Sequence, residues 1–225
     1  MAGRSNPDRD VVYGRNAVAE ARRGRRRVHR VWTSEELGAG ELSRLAGSPD
    51  HQGVVAEVDP YPYAEPASLL ERPDALVVAL DQVQDPRNLG AICRSAEVAG
   101  AAGVLIPARR SARVTAVACK ASAGAVEHLP VARARNLAEW IGEAKRAGAW
   151  VYGARPEAST RYDGVDWWGR VVLVLGGEGK GIRPRVAAAC DALVAIPQAG
   201  QVESLNVAAA AAVLLFEAVR QRTGA

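Results

Sequence analysis

Three polar loops, far apart in the chain, each follow a run of apolar residues: DQVQDPRN at 81–88, GGEGKG at 176–181 and QAGQVESLN at 198–206. GGEGKG invites a phosphate reading, because glycine lets backbone approach a ligand closely. A P-loop needs Ser or Thr after its Lys, and here Lys180 is followed by Gly181. Glu178 would also repel a cradled phosphate. A dinucleotide fingerprint belongs in the first strand–helix unit of a sheet, whereas this loop comes after several strands. Two readings are left: a flexible turn, or backbone brought close to a ligand with one carboxylate held among amides.

In the first loop Asp85-Pro86 imposes a turn and keeps Asp85 extended. Asn88 has the side chain of a helix N-cap. Arg94 follows in a stretch that is otherwise small and apolar (Ala91, Ile92, Cys93, Ala96). Alone it is a surface arginine; beside Asn88, with two more polar loops expected at the same sheet end, it is a candidate site residue. In the third loop Ser204 and Asn206 can each cap a helix by accepting orphan N–H groups, yet one cap suffices. Between 207 and 219 the helix they open has one charge, Glu217. It must therefore be buried or lie in a subunit interface, and a polar pair at its mouth is placed like a site.

The elements that must position these loops alternate. Strand patterns at 75–80, 103–107, 129–133, 149–154, 171–176 and 192–197 interleave with helical patterns at 88–100, 112–123, 136–147, from Pro184, and 204–222. Alternating β and α predicts a mostly parallel sheet with helices on both faces, and ligands in such sheets sit beyond the carboxyl ends of strands. Prolines at 60, 62, 66 and 73 predict a linker over 60–73. That leaves a small unit at 1–59 and a larger one at 74–225.

Composition restricts the function classes. The chain has 225 residues, 48% hydrophobic and 24% charged, as expected of a globular protein. No window holds the roughly 18 consecutive apolar residues of a membrane span, and MAGRSNPDRD has no apolar core of a secretory signal. Cys93, Cys119 and Cys190 are odd in number and widely spaced, which predicts neither a disulfide framework nor a metal site and suits the cytoplasm. The net charge is +4, but RRGRRRVHR at 22–30 concentrates the positive residues. Arg22, Arg25, Arg26 and Arg27 are either a solvated face or a surface for RNA phosphates, which arginine forks match.

Together, DPRNLGAICRSAEVAG, LVLGGEGKGI and IPQAGQVESLNVAAAAA resemble the three motifs of the SpoU-type RNA 2′-O-methyltransferases of the SPOUT superfamily, in order and spacing. VYGRNAVAEA (12–21) and HQGVVAEV (51–58) resemble the small domain that precedes the catalytic domain in the 23S rRNA guanosine 2′-O-methyltransferases. The resemblance implies an α/β domain whose C-terminal segment forms a trefoil knot, a feature local reasoning would not propose. It implies S-adenosylmethionine contacted by Gly176, Gly177, Ile196 and Leu205, a homodimer with the site near the subunit interface, and functional side chains at Asn88, Arg94, Glu178, Ser204 and Asn206. Two departures stand out. Only LGAG separates VWTSEE from ELSRLAG, where another helix and strand are expected, so the RNA-binding unit is a shortened α/β domain. Ala208 stands where Ser is common.

Methyl transfer to a ribose hydroxyl is an in-line displacement, so alignment is the main task, worth about 7–11 kcal/mol in favourable cases. His29, His51 and His128 lie outside the motifs and are expected to be structural. Arg94 is assigned the base role in the family, but a guanidinium is hard to deprotonate. Our expectation is that it orients and polarises the 2′-hydroxyl, with Asn88, Ser204 and Asn206 arranging it. Glu178 either steadies its loop or meets the ligand's amino group. The substrate expected is 23S rRNA. Transfer RNA, or a non-enzymatic RNA-binding role on the same fold, is the alternative.

Overall fold

The chain is described here by a computed structural model over residues 9–202 and 204–224. Most of the MAGRSNPDRD segment (1–8), residue 203 of the third loop and residue 225 lie outside the described residues. The N-terminal unit runs β1 (Asp10–Tyr13), α1 (Arg15–Arg23), β2 (Val28–Thr33), α2 (Ser34–Leu37), α3 (Ala39–Ala46) and β3 (Val54–Val58). Its strands form an antiparallel sheet in the order β1-β3-β2. In LGAG the expected extra strand is missing: Gly38, at φ 73°, ends α2 and starts α3. Positive φ of this kind suits glycine.

The segment 60–73, expected as a linker, is packed rather than loose. Tyr61 is buried, and its hydroxyl donates to the carbonyl of Val126 at 2.9 Å. Ala64 bridges Ala132, and Leu69 and Leu70 are buried from a short 3₁₀ turn at Pro66–Leu70. The prolines stop regular structure, but the apolar residues between them still bury.

Beyond it follow β4 (Leu76–Asp81), α4 (Pro86–Val98), β5 (Gly103–Pro107), α5 (Ala116–Ala121), β6 (Val131–Ala134), α6 (Leu137–Arg146), β7 (Trp150–Ala154), β8 (Thr160–Arg161), β9 (Val171–Gly176), α7 (Pro184–Ala189), β10 (Ala192–Ala195) and α8 (Val207–Thr223). Seven strands pair in the order β6-β5-β4-β9-β7-β10-β8, all parallel. The central strands β4 and β9 are buried on both faces, which is why they read as unbroken apolar runs. The two-residue β8 left no periodic signal. The third-motif helix starts at Val207 rather than at 204.

α1 and the segment after it are fastened to the C-terminal unit. Arg26 is buried; its Nε donates to Glu127 Oε2 at 3.0 Å, Nη2 bonds Glu127 Oε1, and Nη1 donates to the Asp59 carbonyl at 3.4 Å. Arg25 Nη2 donates to the Leu129 carbonyl at 3.1 Å, and Lys120 Nζ to that of Asp50 at 2.6 Å. The three histidines have structural partners: His29 with Asp59, His51 with Ser43 and Gly53, His128 with Glu20. Among the described residues no helix is long and apolar enough to cross a membrane.

Candidate active site

β4 and β9 are neighbours, with Asp81 opposite Gly176 in register. The first and second loops therefore leave adjacent strand ends. β10 lies beyond β7 in the same sheet, and the third loop runs from it to α8, which packs against α4. Parallel pairing thus gathers all three loops at the carboxyl edge, as the alternation of elements requires.

Asn88 is not the cap of α4. Asp85 Oδ1 accepts from Arg87 N at 2.8 Å, and Pro86 occupies the first helical position, where its missing N–H costs nothing. The Asn88 side chain is thereby free to bond elsewhere. Its Nδ2 donates to Glu178 Oε1, and its Oδ1 accepts from Asn206 Nδ2 at 3.1 Å. Asn206 Oδ1 in turn accepts from the backbone N–H groups of Ala208 at 2.8 Å and Ala209 at 3.4 Å. One amide thus caps α8 and tethers Asn88 at the same time. The result is a directed chain: helix amides donate to Asn206, Asn206 to Asn88, Asn88 to Glu178.

Glu178 borders a cleft of about 1110 Å³. Gly176, Gly177, Ile196 and Leu205 line it, as do Ser204 and Asn206. Glycine is required in the second loop. A Cβ on Gly176 would lie 2.0 Å from the carbonyl carbon of Gly181, and one on Gly177 would lie 2.3 Å from the Gln82 carbonyl oxygen. Backbone amides and carbonyls, apolar walls from Ile196 and Leu205, the carboxylates of Glu157 and Glu178 and the cations Arg155, Arg161 and Lys180 border it, a mixture that suits a planar heterocycle carrying charged groups of both signs.

Arg94 is exposed on α4 and makes no hydrogen bond or ion pair among the described residues. Within one chain Asn88 and Asn206 bond each other, and Asn88 bonds Glu178, rather than Arg94. Ser204 is exposed and stands before the helix, leaving the cap to Asn206. Arg26 departs from the RNA-facing set: its side chain is 2% exposed and its charge is spent on Glu127, since a buried charge must be paired. Arg22, Arg25 and Arg27 remain exposed, although Arg25 also donates to the carbonyls of Glu127 and Leu129. Sequence reasoning missed Asp81 and Glu127, both buried. For Asp81 a signal existed, an acid closing an otherwise apolar strand; Glu127 had none.

A cleft built from three motif loops at the carboxyl edge of a parallel sheet defines an α/β ligand-binding protein. The SpoU rRNA Methylase family matches residues 75–216. A protein of Mycolicibacterium vanbaalenii named as a tRNA/rRNA methyltransferase is 43% identical over 97% of this chain and 78% of its own length. Among solved structures, an AdoMet-bound rRNA methyltransferase from Sinorhizobium meliloti superposes with a TM-score of 0.81 at 28% identity, covering 96% of this chain and 88% of that one. An RNA 2′-O ribose methyltransferase superposes at 0.83 with 26% identity, covering 96% and 90%. The chain belongs to the SpoU rRNA methylase family and is an RNA methyltransferase.

Proposed function

We propose that the protein transfers a methyl group from S-adenosylmethionine to a ribose 2′-hydroxyl of RNA, in 23S rRNA, within the cytoplasm. The carrying observation is the chain Asn206–Asn88–Glu178 at the edge of the glycine-lined cleft. S-adenosylmethionine supplies an activated sulfonium methyl. Gly176, Gly177, Ile196 and Leu205 would hold its nucleoside part, and Glu178 stands where a cationic group needs a counter-charge. Arg94 orients and polarises the hydroxyl and holds its neighbouring phosphate, a task a guanidinium performs without losing its proton. Threading of the C-terminal segment into a trefoil knot belongs to the same reading. It is supported by the strand order, in which β9 inserts between β4 and β7 before β10 adds beyond β7.

The decisive experiment is calorimetry with S-adenosylmethionine, followed by ribose-methylation mapping of RNA from a deletion strain. One missing 2′-O-methyl group in 23S rRNA is the expected result. A missing tRNA methylation would redirect the substrate, and absence of donor binding would leave only an RNA-binding role.

The reading also assigns a homodimer. Val98 on α4 is 64% exposed, and Val213 and Phe216 on α8 are 37% and 48% exposed. These two helices pack together, and Arg94 precedes Val98 by one helical turn on the same face. A second copy covering this apolar surface would bring Arg94 into a shared site. Phe216→Glu is expected to shift the protein to monomers in sedimentation velocity and to reduce methyl transfer at least tenfold while donor binding survives. A dimeric, active variant would remove this interface.

Arg22 and Arg27 should bind RNA phosphate. Deleting one phosphate-binding cation reduces the salt slope of binding by about 1. Arg22→Ala/Arg27→Ala should therefore lower it by about 2 on the same principle, read from filter binding across a salt series.

A further inference from the structure

Asp81 belongs to none of the residues assigned so far, yet it is the most completely buried acid beside the cleft, at 0% exposure. It closes β4 after five apolar residues. Oδ2 accepts from the backbone N–H of Arg183 at 2.7 Å, Oδ1 accepts from Arg183 Nε at 2.8 Å, and Arg183 Nη2 lies 2.7 Å from Oδ1. The Asp81 carbonyl accepts from Gly177 N at 2.8 Å. One residue therefore fastens both ends of the loop that carries Glu178: Gly177 through its backbone and Arg183 through its side chain. Gly181 N closes the loop onto the Gly177 carbonyl at 3.0 Å. Gln82 adopts φ 66°, a left-handed value for a non-glycine residue, and its carbonyl occupies the space where a side chain on Gly177 would be. Such conformations persist only where the surroundings enforce them.

An aliphatic residue would close β4 at lower desolvation cost. What a carboxylate adds is two acceptors in fixed geometry, here used on the main chain and the guanidinium of a single residue. We propose that Asp81 is a positioning residue for methyl-donor binding: acting through Arg183, it holds the 177–182 loop so that Glu178 meets Asn88 and the glycine backbone borders the cleft. This rests on the S-adenosylmethionine reading above.

In Asp81→Asn one acceptor oxygen becomes a donor facing either the backbone N–H of Arg183 or its Nε and Nη2 groups, so at least one bond is lost. A loop released from its closed form lowers apparent affinity by the fraction of competent molecules, and saturating donor restores it. The expected result is a tenfold or greater rise in donor Kd and KM with kcat reduced less than threefold. Arg183→Gln, a change at a half-exposed side chain that leaves the strand intact, should raise Kd similarly, and the double variant should be no worse than the stronger single. Glu127→Gln, remote from the cleft, should lower the unfolding midpoint without moving Kd. Donor Kd within twofold of wild type in both Asp81→Asn and Arg183→Gln overturns the proposal. If wild type itself binds no donor, the methyl-donor reading has failed instead. Faster hydrogen exchange at amides 177–182 in the variants then still identifies the clamp, and unchanged exchange refutes it.

Discussion

Asn88→Asp should reduce kcat for methyl transfer by about 10²–10³-fold, the range seen when a preorganised donor is removed from an active site. The substitution is nearly isosteric, so packing is not at issue. What changes is direction. Asn88 both accepts, from Asn206, and donates, to Glu178; an aspartate keeps the first role and turns the second into carboxylate against carboxylate. Like charges at such separation cannot both stay ionised without penalty, so Glu178 either swings from the cleft or takes up a proton. Asn88→Ala removes the donor without adding charge, and its loss should be the smaller. Single-turnover transfer with labelled donor, compared among wild type, Asn88→Asp and Asn88→Ala, checks the ranking. Equal losses would mean that only the missing N–H donor matters, and a larger loss in Asn88→Ala would mean that the amide works by occupying space. Asn206→Asp is the companion case: it keeps the α8 cap but not the donor to Asn88, so activity falls while the helix keeps its about 1 kcal/mol of capping.

The largest effect on stability is expected at Glu127. Arg26 and Glu127 have side chains 2% and 1% exposed, one from the segment after α1 and one from the catalytic unit. Removing one partner of a buried pair leaves the other charge unpaired and costs about 3–5 kcal/mol. Glu127→Ala should therefore lower unfolding stability by about that amount in urea titration. Asp10, 3.6 Å from Arg26 Nη1, is 44% exposed, so it offsets little of the loss. The consequence for function is geometric. This pair, with Arg25 on the Leu129 carbonyl and Tyr61 on that of Val126, holds the N-terminal unit against the catalytic one. On the proposed reading, RNA bound by Arg22 and Arg27 would then meet the cleft in a set orientation. A loss of under about 1 kcal/mol, far below that of a broken buried pair, would show that the units are held chiefly by apolar packing.

The sheet and its helices were legible because each rests on a local signal. VVLVLG at 171–176 is apolar throughout because β9 is buried on both faces, and Pro184 opens a helix because its ring fits the first turn. The residues at 176, 177, 196 and 205 were legible through the resemblance of the motifs rather than through residue type, and all four border the cleft. Which polar group bonds which was not. Asn88 and Asp85 are both acceptable caps, and only the fold, by seating Asn206 and Glu178 beside α4, gives Asn88 other partners. The arginine run at 22–30 shows the same limit. Charge density announces a basic surface, but whether Arg26 faces solvent or Glu127 depends on a residue about a hundred positions away. Local order comes from neighbours along the chain, whereas the pairing of a polar side chain is decided by what the folded backbone brings within reach.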